Sequence, residues 1–185
     1  YRVLDRSGKL IEGAVAPDLS ETEAVGMYET MVKVQAMDDV FMNAQRQGRI
    51  SFYMQHAGEE GLAVGSASAL TEDDVIFAQY REGGGLLHRG FTLQECADQC
   101  IGNQDDKGGG KQMPIHYGCR RLNFQTISSP LATQLPQAVG AAMALRNEGK
   151  EAISMVYFGE GAASEGDFHA ACNFAEVHHR DGLLA

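Results

Sequence analysis

The sequence predicts an α/β fold, a largely parallel sheet with helices on both faces, preceded by an irregular N-terminal segment. Three observations carry this. Val75-Ile76-Phe77-Ala78 and the run at 152–158 are short and nearly continuously apolar, as buried parallel strands are. Helical patterns alternate with these runs, which is the order parallel strands need for their crossovers. Each run also leads into a glycine-bearing turn, at Gly83-Gly84-Gly85 and at Gly159-Glu160-Gly161.

Composition narrows the function classes. Of 185 residues, 44% are hydrophobic and 22% charged, which fits an ordinary globular domain or a piece of a larger one and excludes a disordered tail, a collagen-like fibre or a coiled-coil rod. No apolar run approaches the ~20 residues of a membrane span. The 15 basic and 25 acidic residues leave a net charge of −10, whose field repels phosphate backbones, so nucleic acid is not an expected partner. Any phosphate bound must be held locally, by backbone donors, a metal or a single arginine. Cys96, Cys100, Cys119 and Cys172 form no CxxC pair and read as reduced, mostly buried thiols.

In chain order, residues 1–19 are polar and irregular, and residues 20–185 form the α/β domain. Ser20-Glu21-Thr22-Glu23 is a capping-box pattern, and Met27, Met31, Val34, Met37, Phe41 and Ala44 give the helix after it an apolar face that reads as core packing. Gly48 is its natural stop. Residues 51–55 suggest a short extended piece, and a helix rich in Ala, Gly and Ser runs on to about Leu70, its small side chains permitting close backbone approach. The run at Val75 is a buried strand that delivers Gln79, Tyr80, Arg81 and Glu82 to its end. Thr92-Leu93-Gln94-Glu95 opens a short helix through Cys96 and Cys100 to Ile101. The polar stretch 102–126 is long for a connection and reads as functional or disordered. A helix spans about Thr133 to Arg146, with Pro136 in its first turn and Leu135, Val139, Ala142 and Met143 on its buried face. The run at 152–158 reads as a central strand covered on both faces. The helix after its turn carries Phe168, Ala171, Cys172 and Ala175 on one side.

Open α/β sheets bind ligands at the carboxyl ends of their strands. The Gly159-Glu160-Gly161-Ala162 turn runs into a helix N-terminus, whose free N–H groups and dipole favour a diphosphate. Glu160 beside a diphosphate is repulsive unless a cation lies between them, and Mg²⁺ takes such a ligand set. A plain tight turn with an exposed glutamate explains the short string equally well.

The longer strings resemble a family. Gly159-Glu160-Gly161-Ala162-Ala163-Ser164-Glu165-Gly166-Asp167 is similar to the first half of the thiamine diphosphate motif of the 2-oxo acid dehydrogenases. The strings at 46–54, 79–82, 112–118 and 128–134, in that order, resemble the decarboxylase alpha subunits of the branched-chain members, over nearly all of 1–177. Glu160, where the pyruvate enzymes typically carry Asp, and the string Ser128-Ser129-Pro130-Leu131-Ala132-Thr133-Gln134 point to the branched-chain side.

The resemblance implies a thiamine diphosphate-binding fold and a set of site residues. Gln79, Tyr80 and Arg81 would meet the diphosphate, an arginine making charge-assisted bonds to phosphate. Gly159, Gly161 and Ala162 would hold the same group, and Glu160 would ligate Mg²⁺. Ser129 and Leu131 would line the cofactor. Ser128, Pro130, Thr133 and Gln134 would form a K⁺ site, although helix capping also accounts for Ser128 and Thr133. The implied reaction is decarboxylation of a branched-chain 2-oxo acid with the cofactor as electron sink, the acyl group passing to a lipoyl group on a transacylase. The implied assembly is a heterotetramer of two alpha and two beta chains in the mitochondrial matrix, the beta chain contributing a catalytic glutamate.

His116 stands in a motif-like loop and is the histidine to examine. His178-His179-Arg180 has no counterpart in the resemblance. The chain begins at Tyr1 without Met, and the motif's closing Asn pair is not reached before Ala185, so the expectation is a partial alpha subunit, inactive alone, with its catalytic histidine loop further on. Two other readings stand beside it: a truncated, non-catalytic structural subunit, and an alpha subunit acting on pyruvate or acetoin.

Overall fold

A computed structural model of the chain describes residues 2–180. The tail Asp181-Gly182-Leu183-Leu184-Ala185 and the side chains of His179 and Arg180 lie outside the described residues. Residues 2–19 form turns and a single bridge between Leu4 and Leu10.

Helix α1, Glu21–Arg46, begins where Ser20 accepts from the Glu23 amide while the Glu23 carboxylate takes the Ser20 amide. This reciprocal cap is worth about 1 kcal/mol. Helix α2 is Glu60–Ser68 and strand β1 is Val75–Phe77. Helix α4, Leu93–Ile101, has the second capping box, Thr92 with Glu95. Residues 102–133 are irregular apart from a 3-10 turn at Arg120–Leu122. Helix α5 is Gln134–Asn147 and strand β2 is Ser154–Val156. After β2 come a single helical turn α6, Glu160–Ala163, and helix α7, Gly166–Arg180.

Three elements differ from expectation. The glycines at 83–85 form helix α3, Gly83–His88, rather than a loop. A side chain has no room there: a Cβ on Gly85 would lie 3.1 Å from the Ala63 carbonyl oxygen, and one on Gly83 would lie 2.5 Å from His56 Nε2. Glycine is poor helix material in isolation, so α3 exists because it lies directly on the small residues of α2. Residues 51–55 make no strand; Tyr53 and His56 turn inward to the buried Asp38 carboxylate, which accepts from Tyr53 Oη and His56 Nδ1 at 2.8 Å each and from the His56 amide at 2.7 Å. The third difference is β2, which is three residues long and only half-buried. Among the described residues it pairs on one edge alone.

The pairing is parallel, with Val75 opposite Ser154, Ile76 opposite Met155 and Phe77 opposite Val156. On its other side β1 is bridged at Ile76 by Phe124. The strand period of two sends side chains to opposite faces. Ile76, Met155 and Tyr157 join a core with Met37, Leu86, Cys96 and Cys100 of α1, α3 and α4. Val156 joins a second cluster with Ala132, Leu135, Ala162 and Ala171, built from α5, α6 and α7. The fold is α/β with helices on both faces of a parallel pair, as expected. Cys96, Cys100 and Cys119 are buried and Cys172 is exposed, and all four are free. Burial raises the Cys96 and Cys100 thiols above their ordinary pKa.

Candidate active site

Direct pairing of β1 with β2 brings the two suspected strand ends side by side. The Tyr157 amide donates to the Phe77 carbonyl at 2.9 Å, so Gln79 and Gly159 leave neighbouring strands in the same direction. Gln134, in the first turn of α5, bridges them: its Nε2 donates to Gln79 Oε1 at 2.8 Å and to the Tyr157 carbonyl at 2.9 Å. Gln134 is 2% exposed and Gln79 is 6%. Each keeps one buried polar atom without a hydrogen-bond partner among the described residues, Gln134 Oε1 and Gln79 Nε2. Buried polar atoms are nearly always satisfied, so two orphans on adjoining amides leave this edge with unused donor and acceptor capacity.

The first lip is the segment after β1. Glu82, buried at the start of α3, accepts from the amides of Gln79 at 2.9 Å and Tyr80 at 3.1 Å, folding the chain so that Tyr80 and Arg81 stand at its bend. Burial pushes the Glu82 carboxyl above its usual range, against the hydrogen bonds that favour its charged form. The Arg81 guanidinium lies 5.9 Å from the centroid of the Tyr80 ring and 4.0 Å from Glu59 Oε1, and its side chain is 40% exposed.

The second lip is the turn after β2. Gly159 precedes α6 in an extended conformation, and nothing lies within 4 Å of where its Cβ would be. Glu160 is exposed at the first position of α6, where amide groups have no intrahelical acceptor. Ala162 turns its methyl into the second core. Leu131 reaches across to the turn: its Cδ1 would lie 3.5 Å from a Cβ on Gly161. Leu131 is 43% exposed although the adjoining Ala132 is fully buried.

Ser128, Ser129 and Pro130 occupy a third wall, with His116 and Gln137, around an open groove of about 490 Å³. His116 Nε2 is in hydrogen-bond contact with Ser129 Oγ, and His116 Nδ1 is 3.0 Å from the Pro114 carbonyl oxygen. Two non-glycine residues flank this wall at left-handed φ, Ile115 at 67° and Ala132 at 67°. Such strain, about 1–3 kcal/mol each, persists where the surroundings over-determine the backbone.

The structure thus gathers Gln79, Tyr80, Arg81, Gln134 and Gly159 at one strand edge, with Leu131 against Gly161. Of the four expected K⁺ ligands, Gln134 faces the strand ends, while Ser128 and Pro130 line the groove. The capping alternative for Thr133 fails. Thr133 precedes α5 with backbone already helical, φ −52° and ψ −37°, and its side chain makes no cap bond. Glu82 was missed by sequence reasoning. The signal was an acidic residue three positions beyond Gln79, directly before glycines that then prove to be helical.

These features define an α/β domain whose candidate site lies at the carboxyl edge of a parallel strand pair. The pattern of the dehydrogenase E1 component family matches residues 28–181, and the chain belongs to that family. It is 56% identical over 177 residues to the mitochondrial 2-oxoisovalerate dehydrogenase subunit alpha 2 of Arabidopsis thaliana, covering 96% of this chain and 38% of that protein. The subunit alpha of Dictyostelium discoideum is 53% identical over 175 residues, with 95% of this chain and 40% of that one covered. The human subunit alpha is 52% identical over 175 residues, at 95% and 39%. The chain therefore spans about two fifths of the length of these relatives. Among the described residues no helix is long and apolar enough to cross a membrane.

Proposed function

We propose that the chain is part of the alpha subunit of a branched-chain 2-oxo acid dehydrogenase and carries the alpha-side half of its thiamine diphosphate site. The observation that carries this reading is the Gln134 bridge between the two strand ends, which joins the Tyr80–Arg81 lip to the Gly159–Glu160 lip.

The residues present fit the cofactor. Arg81 is held only at 4.0 Å by Glu59 and is free to turn to a diphosphate oxygen, with Tyr80 beside it. Gly159 and Gly161 let the backbone approach that group, and the first amides of α6, those of Glu160, Gly161 and Ala162, supply donors. Gln79 Nε2, buried and unpaired, is a further donor at the same edge. Glu160 is the carboxylate for Mg²⁺. Mg²⁺ commonly takes one or two carboxylates and completes its shell with phosphate oxygens and water. Gln134 Oε1, unpaired and buried, is an oxygen of the kind K⁺ takes, and the Ser128 and Thr133 oxygens and the Pro130 carbonyl complete that site in the reading. Ser129 and Leu131 line the cofactor's body.

Thiamine diphosphate supplies the electron sink for loss of CO₂ from a branched-chain 2-oxo acid. This chain's residues bind and orient: Arg81 and the α6 amides fix the charged end, Leu131 packs beside Gly161, and Gln134 holds the two lips at one spacing. In this reading the acyl group would end on a transacylase's lipoyl group, whose disulfide would be the oxidant, one sulfur taking the acyl group as a thioester and the other becoming a thiol. A beta chain completes the site in a heterotetramer of two alpha and two beta chains, and the relatives' mitochondrial names support a location in the mitochondrial matrix.

The test is calorimetric titration of thiamine diphosphate into the full-length alpha chain assembled with its beta partner, with and without Mg²⁺. Tight binding that needs Mg²⁺ in the unmodified assembly, and that is weakened in Glu160→Ala even with Mg²⁺ present, is the expected result. Unchanged affinity in the variant removes the metal assignment, and no binding by the unmodified assembly removes the reading.

A further inference from the structure

His116 is 5% exposed, yet its ring touches a residue that faces an open groove. Nδ1 lies 3.0 Å from the Pro114 carbonyl oxygen. A main-chain carbonyl only accepts, so Nδ1 carries the hydrogen, and in that tautomer Nε2 keeps its lone pair. Nε2 is in contact with Ser129 Oγ, and the Ser129 hydroxyl therefore donates inward to it. Met113 Sδ, 3.6 Å from the same hydroxyl, is a weak competitor as a thioether. With its one hydrogen committed, Ser129 offers only lone pairs to the groove.

Ile115, 1% exposed and β-branched, sits at φ 67°, a conformation such residues rarely adopt, and it directly precedes His116. Ala132, three residues beyond Ser129, is fully buried at the same φ. A residue at costly left-handed φ thus stands near each partner in the chain, Ile115 directly before His116 and Ala132 three positions beyond Ser129.

We propose that His116 is a positioning residue: it locks the Ser129 hydroxyl as a hydrogen-bond acceptor, so that Ser129 recognises an N–H donor on the cofactor rather than an oxygen. This rests on the cofactor site argued under Proposed function. Ser129 makes the contact and His116 sets its polarity from the second row.

The experiment uses the full-length alpha chain assembled with its beta partner and reads the calorimetric dissociation constant of thiamine diphosphate at saturating Mg²⁺. His116→Leu, which leaves the Ser129 hydroxyl free to rotate, is expected to raise that constant about three- to tenfold, the worth of one neutral hydrogen bond. His116→Gln, whose amide oxygen can accept from Ser129, is expected to return it to within about twofold of the unmodified assembly. Ser129→Ala is expected to weaken binding similarly, and adding His116→Leu to it should cost nothing more. Penalties that simply add, or a Gln variant no better than Leu, overturn the role of His116 while leaving cofactor binding intact. Absence of binding in the unmodified assembly overturns the functional reading and this proposal together.

Discussion

Arg81 has neighbours but no firm partner. Its 4.0 Å approach to Glu59 joins two side chains each about 40% exposed, a pair of the sort that contributes roughly 0–1 kcal/mol. Exchanging it for a phosphate oxygen costs little and gains a bond to a charged group. Arg81→Ala is expected to raise the dissociation constant of thiamine diphosphate in the assembled enzyme by roughly ten- to hundredfold, from ~1.5–3 kcal/mol. An affinity within experimental error of the unmodified protein refutes its part in the site. That Gln79, Tyr80, Arg81 and the glycines of the second lip stand at two strand ends was legible in the sequence, because each string directly follows an apolar run, while their parts toward a cofactor came from the family resemblance. Glu82 was not, since its work lies in accepting two amides that only a particular bend brings to it. Asp38 escaped for the same reason: it is an ordinary acidic residue in α1 until Tyr53 and His56 converge on it.

Among the elements, α1 and α4 were readable because the information for their starts is local. A capping box closes within four residues, and both boxes form as expected. Helix α3 shows the opposite case. Its glycines have no intrinsic preference for helix and read as a loop, and only contact with α2 and the His56 ring selects the helix. Gly83→Ala isolates that contact. The new methyl would press on a ring that Asp38 already holds by its Nδ1, leaving it no easy retreat. The variant is expected to lower the thermal midpoint of the assembled protein by several degrees, the usual scale for overpacking of about 1–3 kcal/mol. An unchanged midpoint means that the α3–His56 contact yields freely. Strand β2 was recognised as a strand, but its seven-residue apolar run contributes only three residues to the ladder, because pairing is decided by what lies alongside and not by the run's own composition.

For the molecule as a whole, the parallel register of β1 on β2 joins residues 79 positions apart, and no local pattern fixes it. Asp74 helps to set it. Its Oδ1 accepts from the Ile153 amide at 2.7 Å and its Oδ2 from the Thr71 amide at 2.6 Å, tying the entrance of one strand to that of the other. Burial works to raise this carboxyl, but those hydrogen bonds and the Arg89 charge outweigh it and hold its pKa below the ordinary value. A carboxyl lowered in the folded state adds stability that is present above its unfolded pKa and lost as pH falls through the folded one. Asp74→Asn is therefore expected to melt earlier than the unmodified protein at neutral pH. The gap should close as pH drops below the usual carboxylate range, and a gap constant across that range refutes the clip. The short ladder that Asp74 guards also has a consequence for ligands. Adjacent strands stand about 4.8 Å apart whatever their side chains. The jaw formed by the two lips consequently has a gauge set by peptide geometry, common to any relative that keeps this ladder. On the function proposed above, preference among 2-oxo acids would then be written in surfaces that do not hang from these two strands.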